Sequence, residues 1–427
     1  MRILKVYNNL YIVIIFVLLF SGTLLAPLQF HPKINYAINF LLYVLVILFH
    51  KNAIVRMNRW LFFPIIILIP TGLLGLFLGW SYIDISADIA RYLAPFLGYT
   101  AGVLLLNHLD YYRILYVLYG LLALNLFSYY KSVVSKVSDV FQGGQLFEYA
   151  NGYGLEVHFL YAFIAYFLIR NKIVSGFKKV LLIGYVVGYI VNPIFLMSKA
   201  RTVTMLLSFA LIFFLYSNFK DRILMIIFAL FIAGTSYLYF DGRTYQQAPF
   251  ETYYSEGKDL KVTPFSRIQD TIELIKTNDY HTDASTSFRL TEIKNITNML
   301  YESPQSLFFG FGSGALWYDD YAKIEGGILQ ENYRPDGGVH DIFAMPFAYV
   351  FRYGFIGLLL MFSFVVYHYR KILVNNVNAH QDTIAASLKL FIIISLVADL
   401  FVPVHAYGSV KFGFFIAIGV VLQSKLN

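Results

Sequence analysis

The chain has 427 residues, of which 58% are hydrophobic, 19% aromatic and only 14% charged, and its mean hydropathy is +0.62. This composition lies far outside that of soluble domains and indicates an all-α protein that crosses a bilayer several times. The formal net charge of +8 does not indicate nucleic acid as a partner, because the Lys and Arg residues form short clusters between apolar runs, as in membrane-protein loops. The absence of cysteine excludes disulfides, thiolate metal sites and cysteine nucleophiles.

The first apolar run follows Arg2 and Lys5, as the core of a signal peptide would. It approaches the roughly 20 residues that span a bilayer, however, and a second apolar run follows at once. We therefore expect an uncleaved first membrane helix.

Twelve apolar runs in all are long enough to predict membrane helices. They lie near residues 11–30, 34–50, 60–80, 91–108, 113–130, 153–170, 180–197, 202–219, 223–240, 341–367, 385–404 and 408–423. The weaker runs at 34–50 and 408–423 are also compatible with re-entrant segments.

The basic residues of the connecting loops predict the orientation of the chain. With the N-terminus inside, the inner loops hold fifteen Lys and Arg residues, and the short outer loops hold seven: Lys33, Arg91, Lys131, Lys136, Lys199, Arg201 and Lys411. Cytoplasmic loops usually carry the excess of Lys and Arg, so both termini are expected in the cytoplasm.

A polar segment of about a hundred residues separates the ninth and tenth predicted helices. Because successive membrane helices cross in opposite directions, this segment is expected on the outer side. The chain thus divides into membrane helices at 1–240, an extracytoplasmic loop domain at 241–340 and membrane helices at 341–427. Within the loop, "TPFSRIQDTIELIKT" and "SFRLTEIKNITNMLYES" have apolar residues at helical spacing, and Pro304 ends the second of these segments. We expect two amphipathic helices that cap the membrane domain.

The stretch "MSKARTVTMLLSFALIFFLY" begins a predicted helix with two cations on its outer side. The helix dipole and the side of the membrane both disfavour Lys199 and Arg201 there, which indicates a compensating anion such as phosphate. Snorkelling of these side chains to lipid headgroups is the alternative. Arg289, near the start of the second loop helix, is another candidate, although such an arginine is usually a solvated surface residue.

His340 lies where a glycine-containing turn enters the tenth predicted helix. Its imidazole is expected at the outer surface, facing the cap, where it could accept a proton from a hydroxyl. A structural role for this histidine is the alternative. "FGFGSGA" predicts a tight turn rather than a phosphate loop, and the adjacent Asp319 and Asp320 are more often solvated than metal-bound.

Three separated pieces of the chain also occur in a recognisable order. They are "SKAR" at a helix start, "SFRLTEIKNITNMLYESPQSLFFGFGSG" in the outer loop and "VHDIFAMPFAYVFRYGFIG" at the next membrane helix. Together they resemble the O-antigen ligase and Wzy polysaccharide polymerase superfamily, and the upstream "FEYANGYGLEVHFLYAF" is similar to the family's entry to an earlier helix. Two positions depart from the family pattern: Asp341 stands where asparagine is common, and Lys199 adds a charge beside Arg201.

This resemblance implies a GT-C-like helical fold in the cytoplasmic (inner) membrane, with its active site on the extracytoplasmic side. The implied reaction transfers a glycan from undecaprenyl diphosphate to an acceptor sugar with inversion, without a cofactor, metal or nucleotide sugar. Lys199, Arg201 and Arg289 are then expected to bind the diphosphate, and His340 to deprotonate the acceptor. The implied partners are the lipid-linked oligosaccharide, an acceptor glycan, a chain-length regulator and a flippase.

Several alternatives remain open from the sequence. A repeat-unit polymerase is favoured over a ligase to the lipid A core because no residue marks a core site. A secondary transporter or lipid-linked glycan flippase also suits twelve helices, with Asp399 as the clearest buried acid, and a non-catalytic assembly partner is a third class.

Overall fold

The computed structural model describes residues 10–19, 32–49, 59–118, 120, 284–318, 338–340, 342, 345–372 and 410–425, with single positions at 176, 180, 183, 276, 385, 388, 389 and 392. The predicted helices between residues 121 and 283 lie outside the described residues, apart from isolated positions. The same holds for Lys199, Arg201, Asp319, Asp320, Asp341 and Asp399.

The described part of the chain is mostly helical, as the composition predicted. Its helices are α1 (Leu10–Leu19), α2 (Pro32–Phe49), α3 (Arg59–Phe77), α4 (Tyr82–Leu106), α5 (111–118), α6 (Ala284–Glu302), α7 (Pro304–Phe309), α8 (Met345–Lys371) and α9 (Val410–Ser424). Two short antiparallel strands, β1 (Trp317–Tyr318) and β2 (Gly338–Val339), pair with each other. Among these elements, α3, α4 and α8 contain windows long and apolar enough to cross a membrane.

Helix α4 begins earlier than the sequence predicted. The apolar run was expected to start near residue 91, but the helix starts at Tyr82, directly after a turn in which Gly79 has a φ of 80°. Arg91, which was predicted to lie in an outer loop, therefore lies within this helix. Its first turn carries Asp84, where a carboxylate interacts favourably with the helix dipole.

Helices α4 and α8 run parallel and pack through an aromatic seam. Tyr92 lies 4.4 Å from Tyr353, Phe96 lies 4.8 Å from Phe364, and Tyr99 lies 4.2 Å from His368, measured between ring centroids. Contacts that advance along both helices in the same order require the two helices to point the same way.

Helix α9 also runs parallel to α4 and is almost completely buried against it. Gly98 of α4 approaches the Val410 backbone, Gly102 approaches Ala417, and the Lys425 Nζ donates a hydrogen bond to the Asn107 carbonyl at the far end. The helix is about 22 Å long at 1.5 Å per residue, which is shorter than a hydrocarbon core of about 30 Å.

Helix α8 is interrupted at Gly354, whose φ of 67° and ψ of −176° are non-helical. Only glycine adopts this region readily, and the backbone of α7 packs directly against it: a Cβ at position 354 would lie 2.0 Å from the Phe308 carbonyl oxygen. The Phe351 carbonyl accepts a hydrogen bond from the Phe311 amide at 2.7 Å. The break in α8 is thus the position at which the segment containing α7 docks on this helix.

The amphipathic helix predicted around residues 287–303 is confirmed as α6. Ile296 and Leu300 are buried, and the helix ends at Glu302 before Pro304. The structure adds one feature, because Pro304 also begins the short helix α7. The predicted tight turn in "FGFGSGA" is present, with positive φ at its three glycines.

Candidate functional site

Three chain segments from the second half of the sequence meet the start of helix α4, which lies more than 200 residues before them. Helix α4 supplies Asp84 and Asp88 on one face, since residues four apart lie on the same side of a helix. The glycine turn supplies Gly314, the end of β2 positions His340, and the first half of α8 supplies Arg352. We call Asp84, Asp88, His340 and Arg352 the charged cluster.

Asp88 lies at the centre of the charged cluster and is fully buried. Its Oδ2 accepts a hydrogen bond from the Gly314 amide at 2.7 Å and lies 2.9 Å from the Arg352 Nε. Its backbone carbonyl accepts a hydrogen bond from the Tyr353 hydroxyl at 2.7 Å. A buried carboxylate needs such compensation, because desolvation of an unpaired charge costs several kcal/mol.

The His340 imidazole lies between the two carboxylates, with 14% of its side chain exposed. Nε2 is 3.2 Å from Asp88 Oδ1, and Nδ1 is 4.0 Å from Asp84 Oδ1. A carboxylate oxygen beside Nε2 favours a proton on that nitrogen, since two lone pairs would otherwise face each other. The separation between Nδ1 and Asp84 is too long for a direct hydrogen bond.

The backbone of His340 is also fixed within the charged cluster. Its carbonyl accepts a hydrogen bond from an Arg352 Nη atom, and the preceding Val339 pairs with Trp317 of β1. Arg352 therefore contacts both the carboxylate that faces the imidazole and the backbone that carries it. This double contact restricts both the position and the orientation of the ring.

The glycine turn can approach Asp88 only because residue 314 has no side chain. Gly314 has a φ of 82°, and a Cβ there would lie 2.7 Å from Ile85 and 3.2 Å from Trp80. The turn is tied to α3 as well, since the Ser313 amide donates to the Thr71 carbonyl at 3.0 Å. The loop residues that complete the charged cluster are thus held by two membrane helices.

A small pocket opens beside Arg352, between α4 and α8. Its walls include Tyr92, Tyr349 and Tyr353, and Arg91 lines it together with Arg352. Aromatic faces and guanidinium groups are common partners of sugar rings and of anionic substituents. One member of the charged cluster, Arg352, is therefore part of the pocket wall.

The structure places His340 between β2 and α8, which begins at Met345. The sequence predicted that its ring would face the cap. In the structure the ring faces the acids of α4, at distances of 3.2 and 4.0 Å.

The side chains of the other predicted site residues lie outside the part of the chain that the structure describes. Arg289 lies in the second turn of α6, near the helix start as predicted. Lys199 and Arg201 lie outside the described residues. Their assignment to a diphosphate remains a prediction.

Sequence reasoning missed Asp84, Asp88 and Arg352, although a signal for them existed. Arg352 interrupts an apolar run, and a charged residue inside a membrane helix needs a partner of opposite charge. "DISAD" places two aspartates four residues apart directly before another apolar run. Together these two patterns predict an ion pair between the two helices.

The charged cluster can hold an imidazole in one tautomer, because a carboxylate oxygen of Asp88 lies 3.2 Å from Nε2. Within the described residues, no group of three or more ligating side chains is arranged to hold a metal ion. No protein-family model matches the chain, and no curated protein is detectably similar to it in sequence.

Proposed function

We propose that the protein is a membrane glycosyltransferase that uses His340 as its general base. The observation that carries this proposal is the position of the His340 ring between Asp84 and Asp88. An imidazole with a carboxylate on one nitrogen is an arrangement that orients a base and stabilises its protonated form. The motifs that resemble the O-antigen ligase and polymerase superfamily indicate the substrate class.

In the proposed reaction an acceptor sugar hydroxyl transfers its proton to His340 Nδ1 as its oxygen attacks the anomeric carbon of the donor. The bond between that carbon and the diphosphate oxygen breaks, and the undecaprenyl diphosphate leaves with the electron pair. Asp88 keeps the imidazole protonated at Nε2, and Asp84 faces Nδ1, the nitrogen that accepts the proton. Lys199, Arg201 and Arg289 would stabilise the negative charge that develops on the diphosphate.

The relative helix directions support an extracytoplasmic site. The alternation predicted from the basic loops makes the starts of α4, α8 and α9 extracytoplasmic, and these three helices run parallel. The charged cluster lies near the starts of α4 and α8, on the same side as the glycine turn of the outer loop. We therefore propose a twelve-helix, GT-C-like protein of the cytoplasmic membrane.

Within this class we favour a repeat-unit polymerase, which joins one lipid-linked oligosaccharide to another. The alternative acceptor is a lipid A core, as for an O-antigen ligase. Disruption of the gene separates the two on a gel of surface glycans. A single repeat without a ladder indicates a polymerase, and uncapped core alone indicates a ligase.

The test of the proposed chemistry is single-turnover transfer by the purified protein in lipid nanodiscs. The donor is undecaprenyl-diphosphate-linked oligosaccharide extracted from cells that lack the gene. His340→Ala should lower the rate by about 10²- to 10⁴-fold, the usual contribution of positioned proton transfer, and leave donor binding unchanged. Asp110→Asn is the matched control, because this carboxylate is exposed and pairs with Arg113.

Two outcomes would contradict this assignment. Transfer by His340→Ala at the wild-type rate removes the histidine from the chemistry. Absence of transfer by the wild-type protein, with donor bound, rejects the glycosyltransferase itself.

A proton-coupled carrier or flippase is the second candidate, and one observation favours it. The buried pair of Asp88 and Arg352 joins two membrane helices, and ionisable groups in such positions commonly serve transport pathways. Flipping of a fluorescent lipid-linked glycan in proteoliposomes, without glycan transfer, would support this alternative.

A further inference from the structure

The segment from Ser303 to Tyr318 differs from the polar loop around it. Its sequence, "SPQSLFFGFGSGALWY", contains no charged side chain, whereas Glu302 precedes it and Asp319 follows it. Helix α7 forms the first part of this segment. A charge-free stretch of this kind is unusual for a loop domain in water.

The side chains of α7 divide into an inward and an outward group. Leu307 packs against the buried core. Phe308 and Phe309 are 59% and 63% exposed, and Tyr301 at the end of α6 is 84% exposed. We call Tyr301, Phe308 and Phe309 the aromatic shoulder.

The aromatic shoulder adjoins the exposed apolar surface of α8. The backbone of Phe308 and Phe309 packs against Gly354, and the next residues of α8, Phe355 and Ile356, are exposed large apolar side chains. Leu359 and Phe362 extend this exposed surface further along the helix. Since α8 is apolar and long enough to cross a membrane, this surface is the one that lipid would cover.

Hydrogen bonds within the protein satisfy several polar groups at the two ends of α7. The Gly310 amide donates to the Ser306 carbonyl at 2.7 Å, and the Phe311 amide donates to the Phe351 carbonyl at 2.7 Å. The Ser303 and Ser306 hydroxyl oxygens lie 2.9 Å apart and share a hydrogen bond. Non-helical backbone at membrane depth is tolerated only where protein groups supply such partners.

We infer that α7 lies in the bilayer, with Phe308 and Phe309 in contact with lipid acyl chains. The inference goes beyond the proposed function and does not depend on glycan chemistry. It changes the predicted role of the cap, because one of its helices is then part of the membrane-embedded surface. Tyrosine and other amphipathic aromatic residues are enriched at the edge of the hydrocarbon region, where Tyr301 would lie.

The test uses tryptophan fluorescence of the full-length protein in phosphatidylcholine vesicles. Phe308→Trp and Phe309→Trp each add one fluorophore to the three native tryptophans, and the wild-type signal is subtracted. Dibrominated phosphatidylcholine should quench most of the added emission, and aqueous iodide should quench little of it. The matched control is Phe311→Trp in the same segment, since the Phe311 ring lies 5.0 Å from that of Phe351 and is partly buried.

Quenching by iodide without quenching by brominated lipid would place the aromatic shoulder in water and overturn the inference. Quenching by neither would mean that protein covers it, which also overturns the inference. If the tryptophan variants do not fold, Phe308→Cys provides a second probe, because the chain has no other cysteine. A nitroxide attached there should collide more often with oxygen than with a water-soluble nickel complex.

Discussion

Replacement of Gly354 by alanine tests how the outer loop is held on the membrane helices. The added Cβ would lie 2.0 Å from the Phe308 carbonyl oxygen, 2.1 Å from its carbonyl carbon and 2.4 Å from the Phe309 amide nitrogen. All three are backbone atoms, so no side-chain rotation relieves the overlap. The two segments would have to separate by about 1 Å, which a close-packed interior resists.

The expected cost follows from two terms. A non-glycine residue in the backbone conformation of Gly354 costs about 1 to 3 kcal/mol. Separation of α7 from α8 would also break the hydrogen bond from the Phe311 amide to the Phe351 carbonyl, worth about 1 kcal/mol. We therefore expect Gly354→Ala to destabilise the protein by about 3 kcal/mol or more.

Gly79→Ala is the matched control. Gly79 also has a positive φ, 80°, but a Cβ there would meet nothing within 4 Å. This variant carries only the conformational cost of about 1 to 2 kcal/mol.

The assay is the half-life of the detergent-purified protein at a fixed elevated temperature, combined with limited chymotrypsin digestion. Gly354→Ala should unfold faster than Gly79→Ala and should be cleaved faster after Phe308 or Phe309, because α7 is released from α8. Equal half-lives and equal cleavage rates for the two variants would show that α7 does not dock at Gly354.

Three further predictions test the charged cluster and the orientation of the chain. Asp88→Asn removes the charge that compensates the buried Arg352 and should destabilise the protein by about 3 to 5 kcal/mol. Adding Arg352→Met should restore much of the thermal half-life. A double variant no more stable than Asp88→Asn would argue against an ion pair between Asp88 and Arg352. Tyr353→Phe removes the hydrogen bond to the Asp88 carbonyl. It should lower the stability of the fold by about 1 kcal/mol and shorten the thermal half-life. An unchanged half-life would mean that this hydrogen bond contributes nothing to stability. A cysteine introduced at Ser255 should react with an impermeant thiol reagent in intact cells, because the distribution of Lys and Arg among the loops predicts that residues 241–340 are extracytoplasmic. Labelling only after lysis would reverse the predicted orientation.

The sequence predicted a helix correctly where the spacing of its apolar residues shows which face is buried. Helix α6 is an example, because Ile296 and Leu300 lie on one face and Pro304 limits the helix. Hydropathy alone gave the wrong start for α4. Asp84 and Asp88 lower the apolar average there, although both aspartates lie in the helix.

The partners of His340 could not be deduced from local patterns, because they come from distant parts of the chain. The sequence indicated His340 as a candidate because glycines precede it at the start of a predicted helix. The sequence could not predict its distance to Asp84 or Asp88, since that distance depends on the packing of α4 against α8 and on the turn at Gly314. A search for a carboxylate to compensate Arg352 would have been the most direct sequence route to the charged cluster.

The wide sequence separation between Asp88 and the residues that contact it has a consequence for biosynthesis. Asp88 precedes Gly314 by 226 residues and Tyr353 by 265 residues. At ordinary translation rates roughly 10 to 50 s pass between synthesis of the carboxylate and synthesis of its last partners. During that interval Asp88 lacks the Gly314 amide and the Arg352 guanidinium that compensate its charge in the folded protein. Burial of Asp88 with its charge compensated therefore requires that both the glycine turn and α8 have been synthesised.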